Sequence, residues 1–145
     1  MFSGEGKLIY DPYARIKQDP WWAILKTDES IVDYYQHLIR QHYDVKFEKT
    51  VWGSHISVVR GQKPRDCLLW NKYKGEKIPF TYSNMVYRKH WFFCVDAQSE
   101  RLEEIRRELG MTPTPKYGFH LTIGRLNKEY LQRANEQRKL IDKSI

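Results

Sequence analysis

Apolar residues recur along this chain in two alternating patterns, which together predict a mixed α+β domain. Continuous apolar runs predict β-strands over 21–26 and 90–95. Each run is followed by apolar residues spaced three and four apart, which predict amphipathic helices over about 28–43 and 99–110. The same order of strand and helix therefore occurs twice.

The other segments are less regular. Residues 7–10 predict a short strand, and residues 11–20, with two Asp-Pro pairs, predict a loop. Segment 61–88 is turn-rich and basic, and its short apolar pieces indicate a hairpin or an irregular excursion. A final amphipathic helix is predicted from Asn127 onward. We expect one domain over 1–145.

Two nine-residue motifs, Trp52–Arg60 and Tyr117–Arg125, share one pattern. Both read aromatic, Gly, any residue, His, aliphatic, small hydroxyl, aliphatic, any residue, Arg. Each motif follows one of the strand–helix pairs, so an internal repeat covers about 21–60 and 90–125. Two copies are too few for a solenoid. We expect a pseudo-symmetric domain in which the two His strands lie side by side or face each other across a cleft.

Charge adds an expectation about the ligand. The net charge is +7 at pH 7, which favours an anionic partner such as a nucleotide or nucleic acid. A solvated basic surface would give the same balance. Five of the basic residues decorate segment 61–88, at Lys63, Arg65, Lys72, Lys74 and Lys77. That segment is either a flap that attracts phosphate or a plain solvated loop.

Cysteine content and hydropathy indicate the compartment. Cys67 and Cys94 lack CxxC spacing, so we expect neither a disulfide scaffold nor a zinc site. We therefore expect the protein to lie in a reducing cytoplasm. The N-terminal residues form no apolar run typical of a signal peptide. No stretch approaches the roughly 20 apolar residues that cross a bilayer. We expect a soluble cytoplasmic protein without a membrane partner.

The histidines and hydroxyls of the motifs are the candidates for catalysis. Residues two apart in a strand share a face, so His55 lies beside Ser57, and His120 beside Thr122. A twofold relation between the halves would place all four side chains in one cleft. There one neutral imidazole would accept a proton, the other would donate one, and the hydroxyls would hydrogen-bond a phosphate. The pattern predicts phosphodiester chemistry without a metal.

The duplication of the motif is the main support for the predicted phosphodiester chemistry. A single His-x-Ser tripeptide is an ordinary feature of a strand, whereas Gly and Arg at matching positions in both copies favour catalysis. A two-histidine metal site is the alternative, although no carboxylate or thiolate occupies matching positions. Trp21 and Trp22 alternate faces, so we expect one in the core and the other at the border of the cleft.

Five further residues are candidates for substrate binding, namely Tyr10, Tyr13, Trp52, Arg60 and Tyr117. The first two lie in a Pro-bounded loop, where an aromatic ring can stack on a base. Arg60 can bind phosphate through two hydrogen bonds. Regular alternation places Arg60 on the face opposite His55, however, so a structural ion pair is an equal alternative. The same alternation makes packing beside the glycine the alternative role for the two aromatic residues that open the motifs.

The motifs resemble the 2H phosphoesterase superfamily, whose signature is two His-φ-Ser/Thr-φ motifs in a duplicated α+β fold. Residues 55–58 and 120–123 both match the signature, and the repeat spans most of 21–125. The resemblance implies a pseudo-twofold fold with antiparallel sheets around a central cleft and helices outside. It also implies cleavage of phosphodiesters or 2′,3′-cyclic phosphates without a metal.

Within that superfamily the chain is similar to the bacteriophage anti-CBASS family, small enzymes that degrade the cyclic di- and trinucleotides of a bacterial antiviral alarm. The similarity rests on Asp19–Trp22, Trp52–Ser57 and Val59–Gly61. It implies hydrolysis of 3′,5′-linked cyclic oligonucleotides in the host bacterial cytoplasm, with no cofactor and no obligatory protein partner. No tryptophan follows Trp91 to match the base-stacking residue of that family, so the base preference stays open.

Two other functions fit the same residues. An enzyme acting on RNA ends, either opening 2′,3′-cyclic phosphates or joining 2′,5′ ends, would need a cleft open to a polymer. A non-catalytic nucleotide-binding sponge would keep the fold and the ligand without turnover.

Overall fold

The computed structural model describes residues 1–12, 20–48 and 52–126. The strands in these ranges are β1 (Phe2–Tyr10), β2 (Trp22–Lys26), β3 (Phe47–Glu48), β4 (His55–Arg60), β5 (Lys77–Tyr82), β6 (Tyr87–Lys89), β7 (Phe92–Gln98) and β8 (Phe119–Leu126). The helices are α1 (Glu29–His42) and α2 (Glu100–Glu108). The predicted α+β class is confirmed, and the strands pair in antiparallel fashion.

Six of the strands close into a barrel. They follow the order β8, β4, β2, β1, β5 and β7, and pairing of β7 with β8 completes the ring. Strand β3 pairs with β8, and β6 pairs with β7. The two His strands, β4 and β8, are direct neighbours. The prediction that they lie side by side is therefore confirmed.

Each helix begins at a residue whose side chain caps its first turn. The Asp28 carboxylate accepts a hydrogen bond from the backbone N–H of Ser30 at 2.9 Å, at the start of α1. The Ser99 hydroxyl accepts one from the backbone N–H of Leu102 at 3.3 Å, at the start of α2. Gly110 ends the second helix with a φ of 81°, a conformation that glycine adopts without strain. These caps fix where each helix leaves the strand before it.

One face of the sheet shares a hydrophobic core with both helices. In the His strands, Ile56 and Leu121 are fully buried in this core. Tyr35 of α1 and Leu102 of α2 are part of the same cluster. Because side chains alternate along a strand, the residues on either side of Ile56 and Leu121 point to the opposite face. We call this opposite face the histidine face.

An extra residue interrupts each His strand at the same position of its motif. The extra residue is Val58 in β4 and Ile123 in β8, each the third residue after its histidine. A bulge of this kind resets the alternation of side chains. Val58 and Val59 are consequently both buried in the core, and Arg60 turns to the histidine face. The prediction that Arg60 lies on the opposite face is therefore wrong.

Segment 61–88 departs from its prediction in the second half. Residues 77–82 form β5, an integral strand of the barrel that pairs with residues 2–7 of β1. Trp70 is buried, and its ring packs edge-on against Tyr10 with 4.9 Å between centroids. An irregular excursion is therefore the wrong description of this half. Pro79 interrupts the local strand pattern, and the pairing partners lie 70 to 80 residues earlier in the chain.

Two predicted boundaries also change. The strand expected over 90–95 begins at Phe92, because His90 adopts a φ of 54° in a turn after β6. The short strand expected over 7–10 extends back to Phe2. The helix predicted from Asn127 lies outside the described residues.

Candidate active site

Four half-buried polar side chains meet on the histidine face, namely His55, Ser57, His120 and Thr122. Strands β4 and β8 pair at Ile56 and Leu121. In antiparallel strands, this pairing sets each histidine opposite the hydroxyl residue of the other motif. Directly opposed Cβ atoms lie about 4.5–5.5 Å apart. The structure therefore brings together the four residues that the sequence predicts as catalytic.

Both imidazoles are oriented in the same way by a glycine two residues earlier. His55 Nδ1 lies 2.9 Å from the carbonyl oxygen of Gly53, and His120 Nδ1 lies 3.4 Å from that of Gly118. The two glycines have φ values of 60° and 72°, which turn their carbonyls toward the rings. A carbonyl oxygen only accepts hydrogen bonds, so Nδ1 carries the proton in each ring. This leaves both Nε2 atoms for a substrate.

Strand β2 supplies one flank of the site. Trp22 is buried, and its indole N–H donates to the Ser57 hydroxyl at 3.4 Å. The same indole lies edge-on to His55, with 6.1 Å between ring centroids. Lys26 pairs with His55 across the strands, and the ammonium group of Lys26 forms an ion pair with the Glu29 carboxylate. An aromatic wall and a cation therefore border His55.

Strand β7 supplies the other flank. Cys94 pairs with Thr122, and Asp96 pairs with His120. Burial raises the pKa of the Cys94 thiol, and a hydrogen bond with Thr122 partly opposes that shift. Burial and a hydrogen bond with Asp96 raise the pKa of the Tyr87 hydroxyl. The carboxylate of Asp96 on β7 therefore lies opposite His120, whereas the ammonium group of Lys26 on β2 lies opposite His55.

The surroundings of His55 favour its neutral form. Burial lowers its pKa below the ordinary value of 6.5, and the positive charges of Lys26 and Arg60 act in the same direction. The hydrogen bond to Gly53 and the charge of Glu29 oppose the shift without reversing it. At neutral pH the ring is therefore neutral, with Nε2 able to accept a proton.

A cavity of about 440 Å³ opens beside Ser57 and His120. Arg60 and Lys116 both line it, and both are exposed. Tyr117 also lines it, and the ammonium group of Lys89 lies 3.5 Å from the centroid of that ring. Among the described residues that line this cavity there is no carboxylate. The catalytic candidates are therefore continuous with a positively charged pocket.

The predicted substrate-binding residues separate into two groups. Arg60 and Tyr117 lie in the cavity next to the histidines. Trp52 lines a different cavity, of about 590 Å³, together with Lys26 and Glu29. Tyr13 lies outside the described residues.

The prediction for Tyr10 is wrong. This residue ends β1, pairs with Ala23 and is 6% exposed, so it lies in the core rather than in a loop. Burial raises the pKa of its hydroxyl to about 12. Its ring packs on Trp70 and offers no face to a base. The strand end predicted at Tyr10 is correct, and the error was to count Tyr10 with the loop that follows it.

Three residues of the site were not predicted. Lys26, Cys94 and Asp96 lie on the flanks only because of their cross-strand register, which local sequence does not show. A usable signal exists for Asp96, a charge within the otherwise largely apolar run of β7. The expectation for the two tryptophans is confirmed, since Trp22 borders the site and Trp21 packs against the core.

Comparisons with models of protein families, with curated proteins and with solved structures found no match to this chain. Within the described ranges, no cluster of three or more histidine, cysteine, aspartate or glutamate side chains is arranged to hold a metal ion. In the same parts of the chain, no helix combines the length and apolar character needed to span a bilayer.

Proposed function

We propose that the protein is a metal-independent phosphodiesterase that opens 3′,5′-linked cyclic di- and trinucleotides by two-histidine acid–base catalysis. The observation that carries the proposal is the duplicated pair on the histidine face. Each imidazole there has its Nδ1 on a glycine carbonyl and lies across from a hydroxyl residue. Two such groups facing one phosphate can accept and donate a proton in the same step.

The first step is an attack by a ribose 2′-hydroxyl on the adjacent phosphorus. An O2′–P bond forms and the P–O5′ bond breaks, while Nε2 of His55 takes the 2′ proton and protonated His120 gives its Nε2 proton to the departing O5′. Ser57 and Thr122 donate hydrogen bonds to the non-bridging oxygens as charge develops on them. The product carries a 2′,3′-cyclic phosphate, which water opens to a 3′-phosphate with the proton transfers reversed.

The assignment of roles follows from the charges around each ring. His55 is neutral at neutral pH because of burial and the nearby cations, which suits a general base. His120 has the Asp96 carboxylate across the strand pair, and we assign it the complementary role of general acid. The two histidines are therefore distinguished as base and acid by their flanking strands.

We also propose that the barrel is a duplicated 2H phosphoesterase fold. The unit β2–α1–β4 corresponds to β7–α2–β8, and both units carry a bulge three residues after the histidine. The resemblance of Trp52–Ser57 to the anti-CBASS family supports the substrate class. It places the proposed activity in the host bacterial cytoplasm, in phage evasion of cyclic-nucleotide defence.

The test is incubation with a panel of cyclic di- and trinucleotides, including cyclic GMP–AMP, in the presence of EDTA, followed by chromatography. We expect conversion to linear products ending in a 3′-phosphate. His55→Ala and His120→Ala should each abolish most of the turnover. His42→Ala serves as the matched control, because His42 is exposed at the end of α1.

Each alternative has its own outcome in this assay. Intact cyclic nucleotides under all conditions would contradict the proposed reaction. Faster cleavage of oligoribonucleotides ending in a 2′,3′-cyclic phosphate would indicate an RNA-end enzyme. Tight binding without turnover, unchanged by the two alanine variants, would indicate a nucleotide-binding sponge.

A further inference from the structure

The cavity beside Ser57 and His120 lies on one side of the catalytic group. Its lining includes these two residues, whereas His55 and Thr122 lie outside it. If a phosphate of a bound nucleotide lies over the two histidines, another part of the same nucleotide lies inside the cavity. The volume of about 440 Å³ is within the range of roughly 300–1,000 Å³ that small-ligand pockets occupy.

Arg60 is held at this cavity by the bulge in β4. Its guanidinium lies over the Trp22 ring, 4.9 Å from the centroid. A guanidinium stacked on an aromatic ring can still direct its N–H groups to an anion that lies in the plane of the guanidinium itself. Lys116, in the loop before Gly118, supplies a second cation to the same cavity.

A third basic residue, Arg106, shapes the wall and does not add to the binding groups. It is 1% exposed, and its guanidinium donates to the carbonyl oxygens of Val58 at 2.7 Å and Thr112 at 2.9 Å. These bonds tie α2 to β4 and to the loop that leads to Lys116. The wall is thus fixed while the two exposed cations face the opening.

The charge of this cavity differs from that of its neighbours. The cavity of about 590 Å³ that contains Trp52 is lined by three carboxylates and two cations, Glu29, Asp33, Glu48, Lys26 and Arg40. Another, of about 530 Å³, is lined by Asp96 and two glutamates. Carboxylates in those cavities would repel a second phosphate, and the described lining of the cavity at Arg60 contains none.

We infer that this cavity binds a second phosphate group of the substrate through Arg60 and Lys116, while the scissile phosphate lies over the two histidines. The inference rests on the proposed function, since it names what lies beside the reacting phosphate. A second phosphate belongs both to a cyclic oligonucleotide and to a linear one, and a mononucleotide lacks it. The protein would therefore select substrates with at least two phosphodiesters.

The test compares Arg60→Gln and Lys116→Gln with the wild type on three substrates: a cyclic dinucleotide, a linear oligoribonucleotide and a 2′,3′-cyclic mononucleotide. We expect kcat/KM on the two-phosphate substrates to fall about ten- to a hundredfold more than on the mononucleotide, as for loss of a hydrogen bond to a charged group. A larger effect on the cyclic than on the linear substrate identifies the ring as the natural ligand. Lys74→Gln, an exposed charge change outside the cavity, is the control.

Binding separates this inference from the proposed reaction. The dissociation constants of a 2′-deoxy cyclic dinucleotide and of a deoxy cyclic mononucleotide are measured for the same variants, since neither ligand has a 2′-hydroxyl to react. Selective weakening of dinucleotide binding supports the second-phosphate site even where the wild type turns nothing over. Equal weakening of both ligands, or none, would overturn it.

Discussion

His55 and His120 occupy the same motif position yet have different surroundings. Both rings are held by a glycine carbonyl, and each lies across from a hydroxyl residue. The neighbours of His55 are Lys26 and a buried tryptophan, whereas Asp96 and an open cavity border His120. The motif thus fixes the orientation of each ring, and the flanking strands fix its charge environment.

The arginines that end the two motifs differ in the same way. Arg60 lines the cavity and stacks on Trp22. Arg125, its counterpart, lies 3.6 Å from the Glu48 carboxylate. The two copies of the motif therefore differ in their neighbours: one arginine lines the cavity, and the other lies beside a carboxylate of β3.

The largest effect is expected when either histidine is removed. Each single alanine variant should lower kcat by about 10²–10⁴, as for the loss of a general acid or base. The double variant should be no slower than the slower single variant, because groups that act in one step are not additive. Initial rates on a cyclic dinucleotide measure this.

Multiplied losses in the double variant would mean that the two histidines serve separate steps or sites. Far-ultraviolet circular dichroism of the three variants is the control for folding. The two-histidine mechanism predicts that all three variants are folded and that their losses in kcat do not multiply.

A second comparison concerns the two glycines. Gly118→Ala should lower the free energy of unfolding by about 1–2 kcal/mol, since a non-glycine residue must adopt a left-handed conformation there. Gly53→Ala should cost about 1 kcal/mol more, because its Cβ would overlap the Glu29 carboxylate and disturb the hydrogen bond that this carboxylate accepts from Ser54 N–H. Space around Gly118 is open. Urea denaturation measures both values, and equal losses would contradict the proposed difference.

The smallest effect concerns the pH dependence of cleavage. Lys26→Met removes a positive charge that lowers the pKa of His55, so that pKa should rise toward its ordinary value. A base with a higher pKa loses its proton at higher pH, and the acidic limb of the kcat/KM profile should move upward in pH. The basic limb should stay in place. Lys63→Met, an exposed change in a loop, is the control.

A shift of the basic limb in the Lys26 variant would reverse the assignment of base and acid. It would mean that the ring next to Lys26 delivers the proton to the leaving group. No movement of either limb would show that burial alone sets the protonation of His55.

The features that local sequence specifies were predictable. The two amphipathic helices and the alternation of His55 with Ser57 depend on residues a few positions apart, and the structure confirms them. The four catalytic candidates could be predicted for the same reason, since a repeated local pattern identified them.

The features that depend on pairing between distant strands were not predictable. The place of Asp96 across from His120 follows from the register of β7 with β8. The orientation of Arg60 follows from a bulge that exists only relative to β2. The burial of Tyr10 follows from its pairing with Ala23 of β2 and from Trp70, a residue distant in sequence that packs edge-on against its ring.

The bulge at Val58 has a consequence for how this molecule can evolve. Insertion of one residue between Val59 and Arg60 would leave the bulge, His55 and Ser57 in place, and it would rotate Arg60 away from the cavity to the other side of the sheet. Under the proposed function, ligand choice and proton transfer therefore depend on separable parts of one short motif. A single-codon insertion would then change how the ligand is bound, while the groups proposed to move protons stay as they are.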